Sequence, residues 1–223
     1  MLRGKFFVEK ARRLQLRLVT RVIREDMLPK TIRYVAGVDV SYSGEWAFGA
    51  VSLLDYGSLA LVEARKAKVK IAFPYIPTLL SFRELRPSLA AIRKLKTQPD
   101  VFIVYAQGIA HPYGLGFASH LGVLLDKPTI GVAKSLLCGQ VHPKNKTGWS
   151  PTLYKGEIIG AELGNKGGKP IYVSIGHKVT LERAIEVVEH CRRTGRLPEP
   201  IRIAHILATE ARNRHKQEIT HQS

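Results

Sequence analysis

The chain has 223 residues, with 35 Lys and Arg against 18 Asp and Glu, a formal charge of +17 with its eight His neutral and a sequence pI near 10.1. Its 45% apolar and 24% charged content is ordinary globular composition and excludes disorder of the whole chain. No apolar run reaches the roughly 18 residues of a membrane span, and two cysteines, Cys138 and Cys191, supply neither a disulfide framework nor a four-ligand zinc site.

Residues 8–24 read as a basic helix, with Ala11, Leu14, Leu18 and Val22 at spacings of three and four. Arg and Lys stud the first 25 residues and leave no apolar core of a secretory leader, so the expected location is cytoplasmic. The core is expected over 30–216. Tyr34 to Tyr42, residues 46–54, 59–65 and 67–73 predict a meander of strands. Leu79 to Lys96 carries helical periodicity interrupted at Pro87, which predicts a short helix, a kink and a longer helix. Val101 to Val104 and Thr129 to Val132 are uninterrupted apolar runs, the pattern of strands buried on both faces, with a helix over Gly114–Leu125 between them. Gln140 to Gly148 reads as a loop. Glu157 to Leu163 with Pro170 to Ser174 reads as a hairpin, Leu181 to Cys191 and Arg202 to Arg214 as helices, and 217–223 as a frayed tail. The whole is expected to be one α/β domain over 1–223, with a mixed sheet, an antiparallel meander first and helices on both faces.

A charge of +17 on this length favours a polyanionic partner. No basic amphipathic helix has Trp or Phe on its opposite face, so nucleic acid is preferred over a membrane surface. Asp39 lies inside an apolar strand, where an ionised carboxylate is costly unless paired or bound to a cation; a strand-end turn residue is the competing reading. Glu84, beside Arg83, is better explained from sequence alone by an ion pair with a neighbouring Arg. The segment Gln107 to His120 follows a buried strand, the place of a binding loop in an open α/β sheet, and its glycines at 108, 114 and 116 permit close backbone approach to a ligand. His111, His120 and Lys134 are individually weak signals. Residue by residue, the sequence supports a basic α/β domain that binds nucleic acid and has the makings of a metal-dependent nuclease.

Six segments taken in order carry a more specific signal: Tyr34-Val-Ala-Gly-Val-Asp39-Val-Ser, Phe73-Pro-Tyr-Ile-Pro77 with Phe82-Arg-Glu84, Gln107-Gly-Ile-Ala-His111-Pro, Gly116-Phe-Ala-Ser-His120, Pro128-Thr-Ile-Gly-Val-Ala-Lys134-Ser, and Pro198-Glu-Pro-Ile-Arg-Ile-Ala-His205. Together they resemble the endonuclease V family of deoxyinosine-directed DNA repair nucleases. The resemblance implies a ribonuclease H-like fold, a monomer, and hydrolysis of a phosphodiester near deoxyinosine in DNA, with inosine in RNA or single strands as a further substrate class. It implies Mg²⁺ or Mn²⁺ held by Asp39 and Glu84, hard cations that oxygen ligands suit, with His205 at the same centre. Tyr75 is then a wedge, His111 and Lys134 contact the substrate backbone or line the site, and Gly116, Phe117, Leu137 and Gly139 help to form the base pocket.

The sequence departs from the family pattern at three of these places. The family's third carboxylate stands in Asp-Gly-(Gln or His)-Gly, where this chain has Tyr105-Ala106-Gln107-Gly108, and Thr78 stands where a glycine usually follows Pro-Tyr-Ile-Pro. A neutral phenol is a poor substitute for a carboxylate, so weaker metal binding is expected, and a binder without efficient cleavage is the alternative. Glu210 as a replacement lies about 140° around a helix from His205.

Overall fold

The computed structural model describes residues 2–146, 148–165, 168–193 and 195–220, and the side chains of these except 2–6 and 165. Among these residues nine strands form one sheet. In chain order they are β1 (Tyr34–Ser43), β2 (Trp46–Asp55), β3 (Leu61–Lys70), β4 (Val101–Val104), β5 (Thr129–Ala133), β6 (Gln140–Val141), β7 (Ser150–Tyr154), β8 (Glu157–Asn165) and β9 (Gly168–His177). The spatial order is β3-β2-β1-β4-β5-β9-β8-β7-β6. β1 pairs antiparallel with β2 and parallel with β4, β4 parallel with β5, and β5 antiparallel with β9. The helices are α1 (Leu2–Val19), α2 (Leu80–Ile92), α3 (Phe117–Leu125), α4 (Leu181–His190) and α5 (Glu199–Thr220).

The centre of the sheet is buried on both faces, as the apolar runs of β1, β4 and β5 require. Val35, Ile103 and Ile130 pack with Leu181 and Val188 of α4 and Ile201 of α5. The alternating residues Ala36, Val38, Phe102 and Val104 pack with Ala91 of α2 and Leu121 of α3 on the other face. α5 approaches β1 closely enough that a Cβ on Gly37 would fall 2.1 Å from the Pro200 carbonyl. This meander-first mixed sheet, covered by helices on both faces, is the ribonuclease H-like arrangement expected above.

Several boundaries differ from the sequence expectation. Residues 59–65 and 67–73 are not two strands. The turn after β2 runs on to Ala60, whose carbonyl accepts from Asp55 N–H, and β3 then passes unbroken through Arg65 and Lys66 opposite Val51 and Ala50. β3 is an edge strand, so charged side chains within it can reach solvent without interrupting the pairing. Pro87 does not break α2; it is buried where the helix meets β2, its carbonyl 2.2 Å from where a Cβ of Gly49 would stand, and this packing outweighs the one lost backbone hydrogen bond. Gln140 and Val141, read as loop, form a short edge strand on β7. α1 ends at Val19 rather than residue 24. α5 extends to Thr220, four residues into the stretch expected to fray; residues 221–223 lie outside the described residues. Among the described residues no helix is long and apolar enough to cross a membrane. Cys138 and Cys191 are free thiols.

Candidate active site at the ends of two parallel strands

β1 and β4 run side by side in register, Val38 opposite Val104, and Tyr105 N–H donates to the Val38 carbonyl at 3.0 Å. Asp39, midway along β1 and just beyond its parallel pairing with β4, therefore sits next to Tyr105, which follows the carboxyl end of β4, the end at which open α/β sheets place their ligands. Asp39 is not a turn residue. It pairs with Ala50 within β1 and is 8% exposed. It points to the α5 face, where His205 Nδ1 donates to Asp39 Oδ2 at 2.7 Å. The Tyr105 ring stands edge-on to the His205 ring, with centroids 5.5 Å apart, and Lys134 Nζ lies 5.1 Å from the Tyr105 centroid. Asp39, Tyr105, Lys134 and His205 thus converge from four separate segments.

Glu84 reaches the same place from α2. It is not ion-paired as its neighbour Arg83 suggested, because that guanidinium lies 4.6 Å from the Tyr42 ring centroid and donates to the Phe73 carbonyl. Glu84 Oε2 is buried without a hydrogen-bond partner, although the residue as a whole is only half-buried. Burial raises the proton affinity of Asp39, opposed by its bond to His205 and by Lys134. Burial, with the neighbouring Asp39 charge, pushes Glu84 up to about 8. Two carboxylates raised by desolvation, Glu84 by the Asp39 charge as well, one with an orphaned oxygen, suit a hard divalent cation that would neutralise both. The oxygen donors therefore fit such an ion, though as two acids rather than three. Among the described residues no cluster of three or more His, Cys, Asp or Glu is placed to hold one. Glu210 is exposed on α5.

A pH dependence follows. The unfolded chain releases the Glu84 proton near 4.5, whereas the fold retains it up to about 8. Between these values the folded state binds more protons, so stability is highest below pH 4.5 as far as this group decides it and declines as pH rises through 8. With solvent reaching the half-buried residue, the loss is about 1–2 kcal/mol, or roughly 5 °C for a chain of this size. Thermal melts in chelator at both pH values are expected to show this fall, and Glu84→Gln to remove most of it; an equal slope in both proteins would contradict the assignment.

Beside the carboxylates opens a cavity of about 300 Å³ whose wall includes Glu84 and Tyr105. Tyr75, His111, Gly116, Phe117 and Leu137 also line it. Tyr75 is 68% exposed at its rim. His111 is buried, and burial together with the Arg12 charge lowers it to about 4, so its imidazole is neutral; its Nδ1 accepts from Tyr113 N–H. Gly139 does not reach this cavity. It borders a separate hollow with Gln140, His142 and Tyr154. The glycines at 108 and 116 approach their own backbone rather than a ligand: a Cβ on Gly108 would meet the Ile175 carbonyl at 2.0 Å and one on Gly116 the Gln107 carbonyl at 2.3 Å. His120 is structural, bonded to Ser81 Oγ at 3.0 Å between α3 and α2.

Sequence reading missed Gln15. It lies on the buried face of α1 between Ala11 and Leu18, fully buried, whereas Leu14, which the periodicity placed there, is 45% exposed. The available signal was its position, since 11, 15 and 18 keep helical spacing as well as 11, 14 and 18 do.

Comparison with known proteins places these features in a family. Residues 16–206 match the family model for Endonuclease V. An endonuclease V from Thermofilum pendens is 48% identical over 206 residues, covering 92% of this chain and 88% of that protein. The crystal structure of endonuclease V from Streptomyces avermitilis superposes with a TM-score of 0.87 at 35% identity, covering 93% of this chain and 94% of that one. That of Ciona intestinalis endonuclease V, in complex with a 24mer DNA containing an inosine followed by a ribo-adenosine, superposes with a TM-score of 0.82 at 31% identity, covering 93% and 98%. The chain belongs to the endonuclease V family and is a DNA repair endonuclease.

Proposed function

We propose that this nuclease acts on DNA at deoxyinosine, with inosine-containing RNA and single strands as secondary substrates, using Mg²⁺ or Mn²⁺ held by Asp39 and Glu84. The observation that supports this most is the shared wall: Glu84 and Tyr105 border both the carboxylate site and the cavity, so a base lodged in the cavity brings its own strand to the acids. The family is generally divalent-metal dependent; when bound, such an ion activates a water for in-line attack and stabilises the leaving oxygen. His205 orients Asp39 through the 2.7 Å bond to Oδ2. Tyr75, exposed at the rim, stacks in the gap left by the extruded base. Extrusion costs a few kcal/mol, least for a mispaired base, and so contributes selectivity. His111 acts as a neutral hydrogen-bonding group. Lys134, exposed beside Tyr105, contacts a phosphate, as do other members of the +17 surplus. Gly116, Phe117 and Leu137 shape the base pocket, and Gly139 supports the Leu137 segment from outside. The protein works as a cytoplasmic monomer with one domain over 1–223.

The test is a labelled duplex with one deoxyinosine, and the same duplex with deoxyadenosine, incubated with Mg²⁺, Mn²⁺ or chelator. Nicking of the inosine strand only, and only with metal, is expected. Equal nicking of both duplexes would overturn the substrate assignment. Tight, salt-sensitive binding without nicking would leave a binder in which Tyr105 has removed the chemistry.

A further inference from the structure

α1 makes a set of contacts that no element of the catalytic centre requires. Its buried face spans both walls of the cavity. At one end Ala11 packs on Phe73 and Leu79, which flank the loop carrying Tyr75. At the other, Leu18 packs on Leu115 and Val123. Between them Gln15 Nε2 donates to two backbone carbonyls 37 residues apart in sequence, Thr78 at 3.0 Å and Leu115 at 2.9 Å. Thr78 and Leu115 both line the cavity. Arg12 braces the arrangement. It donates to Gln15 Oε1 at 2.5 Å and to Thr78 Oγ1 at 2.6 Å, and its guanidinium lies 3.7 Å from the centroid of the Tyr113 ring. Thr78 is held at φ +68°, a left-handed conformation that a β-branched residue adopts only when its surroundings impose it.

We propose that the N-terminal helix is a clamp that sets the separation of the two cavity walls, with Gln15 as the positioning residue and Arg12 as its brace. A fully buried amide is costly unless its hydrogen bonds are complete. This one completes them only when both loops stand where the cavity needs them, so the amide couples the rim segment of Tyr75 to the floor segment before α3. The clamp rests on the reading of the cavity as the base pocket. It acts on substrate recognition, because it touches none of Asp39, Glu84 or His205.

The experiment uses the full chain carrying Gln15→Leu, which keeps the side-chain bulk and removes both donors, and Leu14→Ala as an exposed control on the same helix. With Mn²⁺ and the deoxyinosine duplex, Gln15→Leu is expected to raise KM about tenfold, as the loss of two hydrogen bonds implies, with kcat changed by less than about twofold. Affinity for the deoxyadenosine duplex should stay unchanged. A helix that merely stabilised the fold would lower kcat with the active fraction and leave KM alone, which would overturn the proposal. Thr78→Ala removes the Arg12 acceptor in a surface loop without endangering the fold, and is expected to raise KM about threefold. Amide hydrogen exchange on the same variants reads the clamp independently of which base is bound. Exchange should accelerate in both 74–79 and 111–116 and nowhere in the central sheet; unaltered exchange in either segment would overturn the clamp, whereas failure of the unmodified protein to prefer deoxyinosine would overturn only the substrate reading.

Discussion

Asp39→Asn is expected to lower cleavage of the deoxyinosine duplex by at least about a thousandfold while leaving the protein as stable as before or slightly more stable. The two effects have one origin. Asp39 is 8% exposed, and burial already raises its proton affinity, so the folded state pays to keep its charge. The isosteric amide removes that cost and keeps an oxygen within reach of His205 Nδ1. It also removes one of two anionic oxygen donors at a centre where Tyr105 supplies none, and loss of about 4 kcal/mol of transition-state stabilisation is a thousandfold in rate. Single-turnover cleavage and a thermal melt on the same preparation check this. Cleavage within tenfold of the unmodified protein would place the reacting centre elsewhere; a large fall in melting temperature would show that the carboxylate holds the fold rather than the chemistry.

Gly37→Ala is expected to destabilise the protein by about 3 kcal/mol or more and to impair cleavage with it. The added methyl would meet the Pro200 carbonyl carbon and oxygen at 2.1 Å and Ile201 N at 2.6 Å. These are backbone atoms, so no rotamer change can relieve the overlap and α5 must move off β1. Overpacking of this kind costs about 1–3 kcal/mol and sometimes more, and about 3 kcal/mol lowers the melting temperature by roughly 6–12 °C for a chain of this length. The displacement also separates His205 on α5 from Asp39, two residues along β1 on the same face. The expected result is therefore a cleavage loss larger than the loss of folded protein at a temperature below the melt. Gly57→Ala, in an exposed turn where a Cβ finds only Asp55 Oδ1 at 3.6 Å, is the matched control. An unshifted melt in Gly37→Ala would mean that α5 does not pack where it is placed.

Asp39 was legible as a candidate because a carboxylate inside an apolar strand is anomalous and local sequence reports that anomaly, whereas Glu84, flanked by Arg83 and Arg86, became a candidate only through the family resemblance. Their partners were not legible. Arg83 adjoins Glu84 in the chain, but its guanidinium goes to Tyr42 and to the Phe73 carbonyl, since the two side chains leave α2 in different directions. The strand and helix boundaries show the same division. Pro87 and the Arg65–Lys66 pair are local breakers by propensity, yet α2 and β3 run through them, because packing on Gly49 and an open sheet edge impose their own conditions.

By itself, then, the amino-acid sequence determined the periodic elements, the two strands buried on both faces, the excess of positive charge, and the family motifs. Each of these depends on residue type and spacing alone. Only the tertiary structure decided that His205 bonds Asp39 across 166 residues, that Glu84 Oε2 is left without a partner, that Gly139 stands outside the cavity, and that Gln15 rather than Leu14 faces inward to join Thr78 and Leu115. Hydrogen bonding and desolvation depend on distances between segments remote in the chain, and those distances exist only once the sheet has closed its helices around it.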